Sequence, residues 1–195
     1  MLEILKYLLT TAVSLYGYEA FKNWLQIRKE KRTIKEKTDY SSDYNKKSKV
    51  KPILDGIQYE LDSNRVQYWE FSNGEKTLSG HHLKKLSLFM ESNSEGEREI
   101  ASQFQFVPVK QFERNLDRLY ESEHGFIVSN EIREFDELAS LFAQYGISTI
   151  LSVKVINEIG VWVGVLSICF TEDRVINEGE IAFAKLQAAR LSIIK

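Results

Sequence analysis

At 195 residues, 43% hydrophobic and 12% aromatic, the chain has the size and composition of one ordinary folded domain with appendages. Its net charge of −2 is unevenly placed: residues 1–27 are neutral, residues 28–51 carry +6 and residues 52–195 carry −8. The acidic C-terminal part argues against nucleic-acid binding by that part, and a single cysteine, Cys169, rules out an internal disulfide and a multi-cysteine zinc site.

Residues 1–27 read MLEILKYLLTTAVSLYGYEAFKNWLQI. No charge falls between Tyr7 and Tyr18, and Ile4 to Trp24 has about the 20-residue length of a membrane span, although Lys6, Glu19 and Lys22 lie within it. Lys6 and Lys22 sit near the ends, where long side chains snorkel to the interface. Tyr7, Tyr16, Tyr18 and Trp24 suit interfacial aromatic positions, and the basic Arg28–Arg32 cluster that follows favours the cytosolic side. We expect residues 1–27 to be a single-pass anchor in the cell inner membrane, with the rest of the chain in the cytosol. A helix lying on the membrane and a helix packed on a partner protein are the alternatives. No small-x-small site follows the apolar run, which argues against a cleaved signal peptide. Residues 28–49 form a basic polar linker, continuing the helix to 37 and flexible over 38–49; its positive charge favours anionic lipid.

The folded domain is expected over residues 50–195. Val50, Ile53, Leu54, Ile57 and Leu61 fall at helical spacing, and Asp62-Ser63-Asn64 ends that helix. Arg65 to Gly74 reads as a strand entering an Asn73-Gly74 turn, and Leu83 to Glu91 as its partner. Val109 to Glu121 and Phe135 to Tyr145 read as helices, separated by a short strand at Phe126–Val128. Ile147 to Phe170 is the strongest signal: two runs rich in β-branched residues flank Asn157-Glu158-Ile159-Gly160, an antiparallel hairpin. In its second strand alternation sets Val161, Val163 and Val165 on one face and Trp162, Leu166 and Ile168 on the other. Cys169 then shares the face of Val163 and Val165 as a small core residue. Both faces are apolar, as in a sheet covered on both sides. Asn177 and Glu180 form a capping-box pattern ahead of a final helix striped by Ile181, Ala184, Ala188 and Leu191. The expected class is α+β: a central antiparallel sheet with helices on both faces, preceded by an N-terminal helix.

This order of elements resembles the GAF domain, a sensory fold related to PAS. Three places carry the resemblance: the helix that feeds Arg65-Val66, the hairpin with Gly160 and Val163-Gly164-Val165-Leu166, and the helix headed by Glu178 and Glu180. The run Tyr68-Trp69-Glu70-Phe71-Ser72-Asn73-Gly74, then Gly80, then Lys85-Leu86-Ser87 is similar to small bacterial and phage-encoded GAF-like proteins, which often carry His where Ser72 stands. The resemblance implies a domain that binds a small molecule, on the sheet face away from the terminal helices, or that mediates dimerisation. It does not imply catalysis. The cyclic-nucleotide signature Asn-Lys-x-Phe and a bilin-attaching cysteine are both absent, and the sulfoxide reductases built on this fold need several cysteines.

The candidate ligand-binding residues are Trp69, Phe71, Asn73, His81, His82 and Lys85. Alternation places Trp69 and Phe71 on one face, where they stack on a planar ligand or simply fill a core, with Tyr68 and Glu70 opposite. A buried Glu70 would mark function, because buried carboxylates need partners. His81 and His82 point to opposite faces of a strand and so cannot easily share a metal; no metal or other cofactor is expected. Lys84 and Lys85 suit either an anionic ligand or a solvated edge strand. No nucleophile elbow, Walker loop or dinucleotide fingerprint occurs, so no enzyme is expected. Two readings of different class follow. One is a membrane-tethered sensory domain for a small cytosolic ligand, forming a homo-oligomer and binding no nucleic acid. The other is a non-enzymatic structural or adaptor protein, of phage origin in one version, whose N-terminal helix drives assembly.

Overall fold

The computed structural model describes residue 26 and residues 41–76, 82–130 and 143–194. The proposed anchor, most of the basic linker, His81 and most of the expected helix Phe135–Tyr145 lie outside the described residues. The chain divides into two compact units, Met1–Asn45 and Lys46–Lys195, and the second holds the sheet.

Helix α1 covers residues 41–61, so residues 41–49, expected to be flexible linker, are helical. Low hydropathy there does not signal disorder: Lys46 pairs with Glu70 at 2.5 Å and Lys51 with Asp55 at 2.7 Å, one turn along. At the far end Asp62 adopts a left-handed conformation (φ 48°), and the Ser63 amide donates to the Gln58 carbonyl to close the helix.

Six strands form one antiparallel sheet: β1 (Arg65–Lys76), β2 (His82–Asn93), β3 (Val107–Pro108), β4 (Phe126–Ser129), β5 (Thr149–Ile156) and β6 (Trp162–Phe170). Their spatial order is β3-β2-β1-β6-β5-β4. The Asn73-Gly74 pair is not the hairpin turn. β1 continues past it to Lys76, with Asn73 opposite Lys84 and a register shift between Asn73 and Lys76. A second irregularity, between Tyr68 and Trp69, leaves Phe89 of β2 without a partner on β1. β3 is too short to leave a periodic signal in the sequence.

Helices α1 and α3 (Glu178–Ser192) cover one face of the sheet, and α2 (Glu113–Glu121) covers the other. Under α1 and α3 lie Val50, Leu54, Ile57 and Leu61 with Val66, Tyr68, Leu151, Val153, Leu166 and Ile168. Under α2 lie Trp69, Leu86, Leu88, Phe112, Leu116, Leu119, Ile150, Val165 and Cys169. Fully burying one such aliphatic or aromatic side chain contributes about 1.5–3 kcal/mol, so the two layers form the bulk of the stabilising surface. The capping box forms as the spacing predicts: Asn177 accepts from the Glu180 amide, and Glu180 accepts from the Asn177 amide.

The alternation expected in β6 fails at one place. Val155 faces Gly164 while Ile156 faces Trp162, so Val163 is an extra residue in β6. This bulge sends Val163 toward the α1/α3 layer and Trp162 toward the α2 layer, the reverse of strict alternation. Cys169 and Val165, below the bulge, do share a face.

Candidate functional site

The face under α2 contains a cavity of about 50 Å³. Its floor is sheet: Trp69 and Leu86 on one side, Ile127, Ser129, Ile150 and Ser152 on the other, with Val165 and Ser167 between. Its roof is Phe112, Asn115, Leu116 and Leu119. Trp69 is held edge-on against Phe104 and Phe112, at ring distances of 5.7 and 5.4 Å. A water needs roughly 10–15 Å³ of such space, so the cavity suits a few waters or one small organic molecule.

Strand register explains where the polar groups fall. Ser152 faces Ser167, Ser167 faces Gln67, and Gln67 faces Glu91, so four strands set one polar row across an apolar sheet face. Gln67 is fully buried, and neither its amide nitrogen nor its oxygen has a hydrogen-bond partner among the described residues. The Ser129 hydroxyl, on a residue only 7% exposed, is likewise unpartnered among the described residues. Buried polar groups are nearly always hydrogen-bonded, so such groups beside a cavity need a reason.

Beyond Gln67 the row ends in a charged cluster. The Arg65 guanidinium, 1% exposed, donates to Glu91 at 2.6 Å, Asn93 at 2.9 Å, Glu97 at 3.2 Å and the Arg98 carbonyl at 2.9 Å. Glu91 accepts in turn from the Ile100 and Ala101 amides at 2.5 and 2.7 Å. This cluster ties the chain after β2 back onto the sheet.

Cys169 lies opposite Arg65 in the ladder. Burial pushes its thiol from 9.0 up to about 12, against the pull of Arg65 and with a further push from Glu91. The folded state therefore keeps this proton where the unfolded chain releases it, and stability falls as pH rises from about 9 toward 12. On the other sheet face burial, reinforced by Glu70, also raises the Tyr68 phenol, which works in the same direction. We expect native Cys169 to resist alkylation at pH 8 and to react promptly once urea unfolds the chain. Thiol-labelling rates in the two conditions check this; equal rates would contradict it.

The sequence-derived candidates do not all converge. Trp69 lines the cavity. Phe71 packs on the same layer farther along β1, edge-on to Trp162 at 5.0 Å. Lys85 neighbours the inward-facing Leu86 and so points to the opposite face, its ammonium 6.0 Å from the Phe106 ring. Asn73 and His82 are placed only as strand residues, at opposite ends of the irregular stretch of the β1–β2 pairing. Glu70 is about a quarter exposed and paired with Lys46, an ordinary surface arrangement rather than a buried functional carboxylate. Among the described residues no group of three or more His, Cys, Asp or Glu side chains is placed to hold a metal.

Ser129, Ser152, Ser167, Asn115 and Gln67 were not among the candidates. The signal for two of them was present. In TILSVKVI and WVGVLSICF one serine interrupts each apolar strand, and the hairpin register sets the two side by side. Gln67 and Ser129 emerge only from pairing between strands distant in sequence.

No family model matches the chain, and no curated protein matches it. Solved structures do resemble it. A GAF domain from Synechocystis in its photoproduct state is 15% identical, covers 76% of this chain and 91% of its own length, and superposes with a TM-score of 0.57. The blue-light-absorbing form of a GAF domain from Thermosynechococcus elongatus is 14% identical over 79% of this chain and 86% of its own, with a TM-score of 0.61. A domain of a two-component sensor histidine kinase protein from Sinorhizobium meliloti is 16% identical over 75% and 88%, with a TM-score of 0.54. Likeness at these identities is likeness of fold, and with the antiparallel sheet between its two helical layers the chain has a GAF-like α+β fold.

Proposed function

We propose that the chain is a non-catalytic regulatory domain that binds a small molecule in the cavity between α2 and the sheet. The observation that carries this reading is the Ser129 hydroxyl, buried and unpartnered among the described residues, in the floor of a largely apolar cavity. A few polar groups in an apolar concavity is the common form of a small-ligand site. One similar solved structure is a phycocyanobilin-bound GAF domain from a cyanobacterial phytochrome. The ligand here is far smaller than such a pigment, given a cavity of about 50 Å³ and a sole cysteine buried within the sheet. In this reading residues 1–27 tether the domain to the inner membrane, and the ligand signal passes along α1 to a homo-oligomer or a partner. Among the described residues no helix is long and apolar enough to cross a membrane.

The small cavity volume favours a second reading, a structural or adaptor protein that uses the fold as a scaffold. The two differ in one result. A ligand present at 100 times its dissociation constant stabilises a protein by about 2.7 kcal/mol, or several degrees in Tm for a chain of this size. We expect a low-molecular-weight bacterial cytosolic extract to raise the Tm of the full chain by several degrees. It should leave Leu116→Phe, whose larger ring enters the cavity from α2, unshifted. No shift in either protein favours the scaffold, and equal shifts in both place the ligand elsewhere.

A further inference from the structure

Resting on the small-molecule reading above, we infer that the ligand is an uncharged molecule presenting a carbonyl or amide edge, rather than an anion or a cation. The inference stands on what faces the cavity and on what the nearby charges are doing. Every described residue lining it is neutral, and its polar members are three serines and one asparagine. Ser129 offers a buried hydroxyl that lacks a partner among the described residues. Behind the lining, opposite Ser167 in the ladder, the Gln67 carboxamide continues the same uncharged row, with its donor and acceptor unpartnered among the described residues.

Three charged side chains on this face are already committed. Arg65 is spent on Glu91, Glu97, Asn93 and a carbonyl, and Glu91 on Arg65 and two amides. The Lys154 ammonium donates to the Tyr120 and Ser122 carbonyls near the end of α2. An ionised ligand would therefore enter an apolar space with no countercharge from the described residues, which is strongly unfavourable. A neutral group that both donates and accepts finds matching partners in the serine hydroxyls and the Asn115 carboxamide of the lining.

Acetamide, acetate and acetamidine test this, because they share one shape, differ in charge and suit a cavity of about 50 Å³. Binding to the full chain is measured by ligand-observed NMR. Acetamide should bind at least about tenfold more tightly than either ion. Ser129→Ala should weaken acetamide several-fold, in line with the loss of one hydrogen bond, and Leu116→Phe should abolish its binding. Acetate or acetamidine binding as well as acetamide overturns the inference while leaving a ligand cavity in place. Acetamide binding unchanged in Leu116→Phe overturns it as well, since the probe then sits elsewhere. Failure of all three probes overturns the neutral-amide assignment; only if the cytosolic extract also leaves Tm unmoved does the small-molecule reading fall with it.

Discussion

Replacing Gly164 with alanine is expected to destabilise the domain by about 3 kcal/mol, the upper end of the cost of overpacking a core. A Cβ built at Gly164 would lie 2.2 Å from the Trp69 carbonyl oxygen and 3.2 Å from the Tyr68 ring. The first of these is backbone in a paired strand and has no rotamer by which to retreat. Gly164 also abuts the bulge that turns Trp162 toward the α2 layer, where its indole donates to the Gly164 carbonyl at 2.7 Å. Either β1 or β6 must move, and Trp69 in the cavity floor moves with β1. Urea or thermal unfolding of Gly164→Ala gives the magnitude, a drop of roughly 6–12 °C at 2–4 °C per kcal/mol for this chain length. A change of under two degrees would mean that β1 and β6 lie farther apart than described.

Arg65→Met is expected to cost about 3–5 kcal/mol, the range for removing one partner of a buried ion pair. The substitution strands the Glu91 carboxylate, 3% exposed, and releases Glu97 and the Arg98 carbonyl. Adding Glu91→Met removes the stranded charge but leaves the Ile100 and Ala101 amides without their acceptor. The double variant should therefore lie below the native protein, yet above the sum of the two single losses, because the two residues act as one unit. A double-mutant cycle by denaturant unfolding measures this. Strict additivity would show that the pair is not coupled.

Much of the fold was legible in local pattern. The β5–β6 hairpin shows itself by β-branched runs on either side of a Gly-ended turn, and α3 by its capping box, because in both the determining residues are neighbours in sequence. The misreadings arise where a local signal competes with pairing. Asn73-Gly74 has turn chemistry, but the β1–β2 ladder continues through it. Strict alternation misplaced Val163 and Trp162, since one extra residue in a strand reverses every face beyond it. Residues 41–49 look like linker by hydropathy yet lie within a helix.

The site was less legible than the fold. Aromatic residues drew attention to Trp69, which does line the cavity, and to Phe71, which packs farther along the same layer. The polar row of Ser152, Ser167 and Gln67 is assembled from three strands, and no single stretch of sequence shows that these residues meet. Arg65 and Glu91 would each read as solvent-facing by type. Their burial follows from the register that sets β1 beside β2 and from the return of residues 97–101 over them.

The most direct test of a ligand-binding role is native mass spectrometry of the full chain, purified without added ligand, compared with the same sample after denaturation. A bound ligand should appear as the excess mass of a small neutral molecule on the folded chain, lost on denaturation and absent from Leu116→Phe. A clean mass for the native protein, with no excess at any charge state, would contradict the binding role and favour the scaffold.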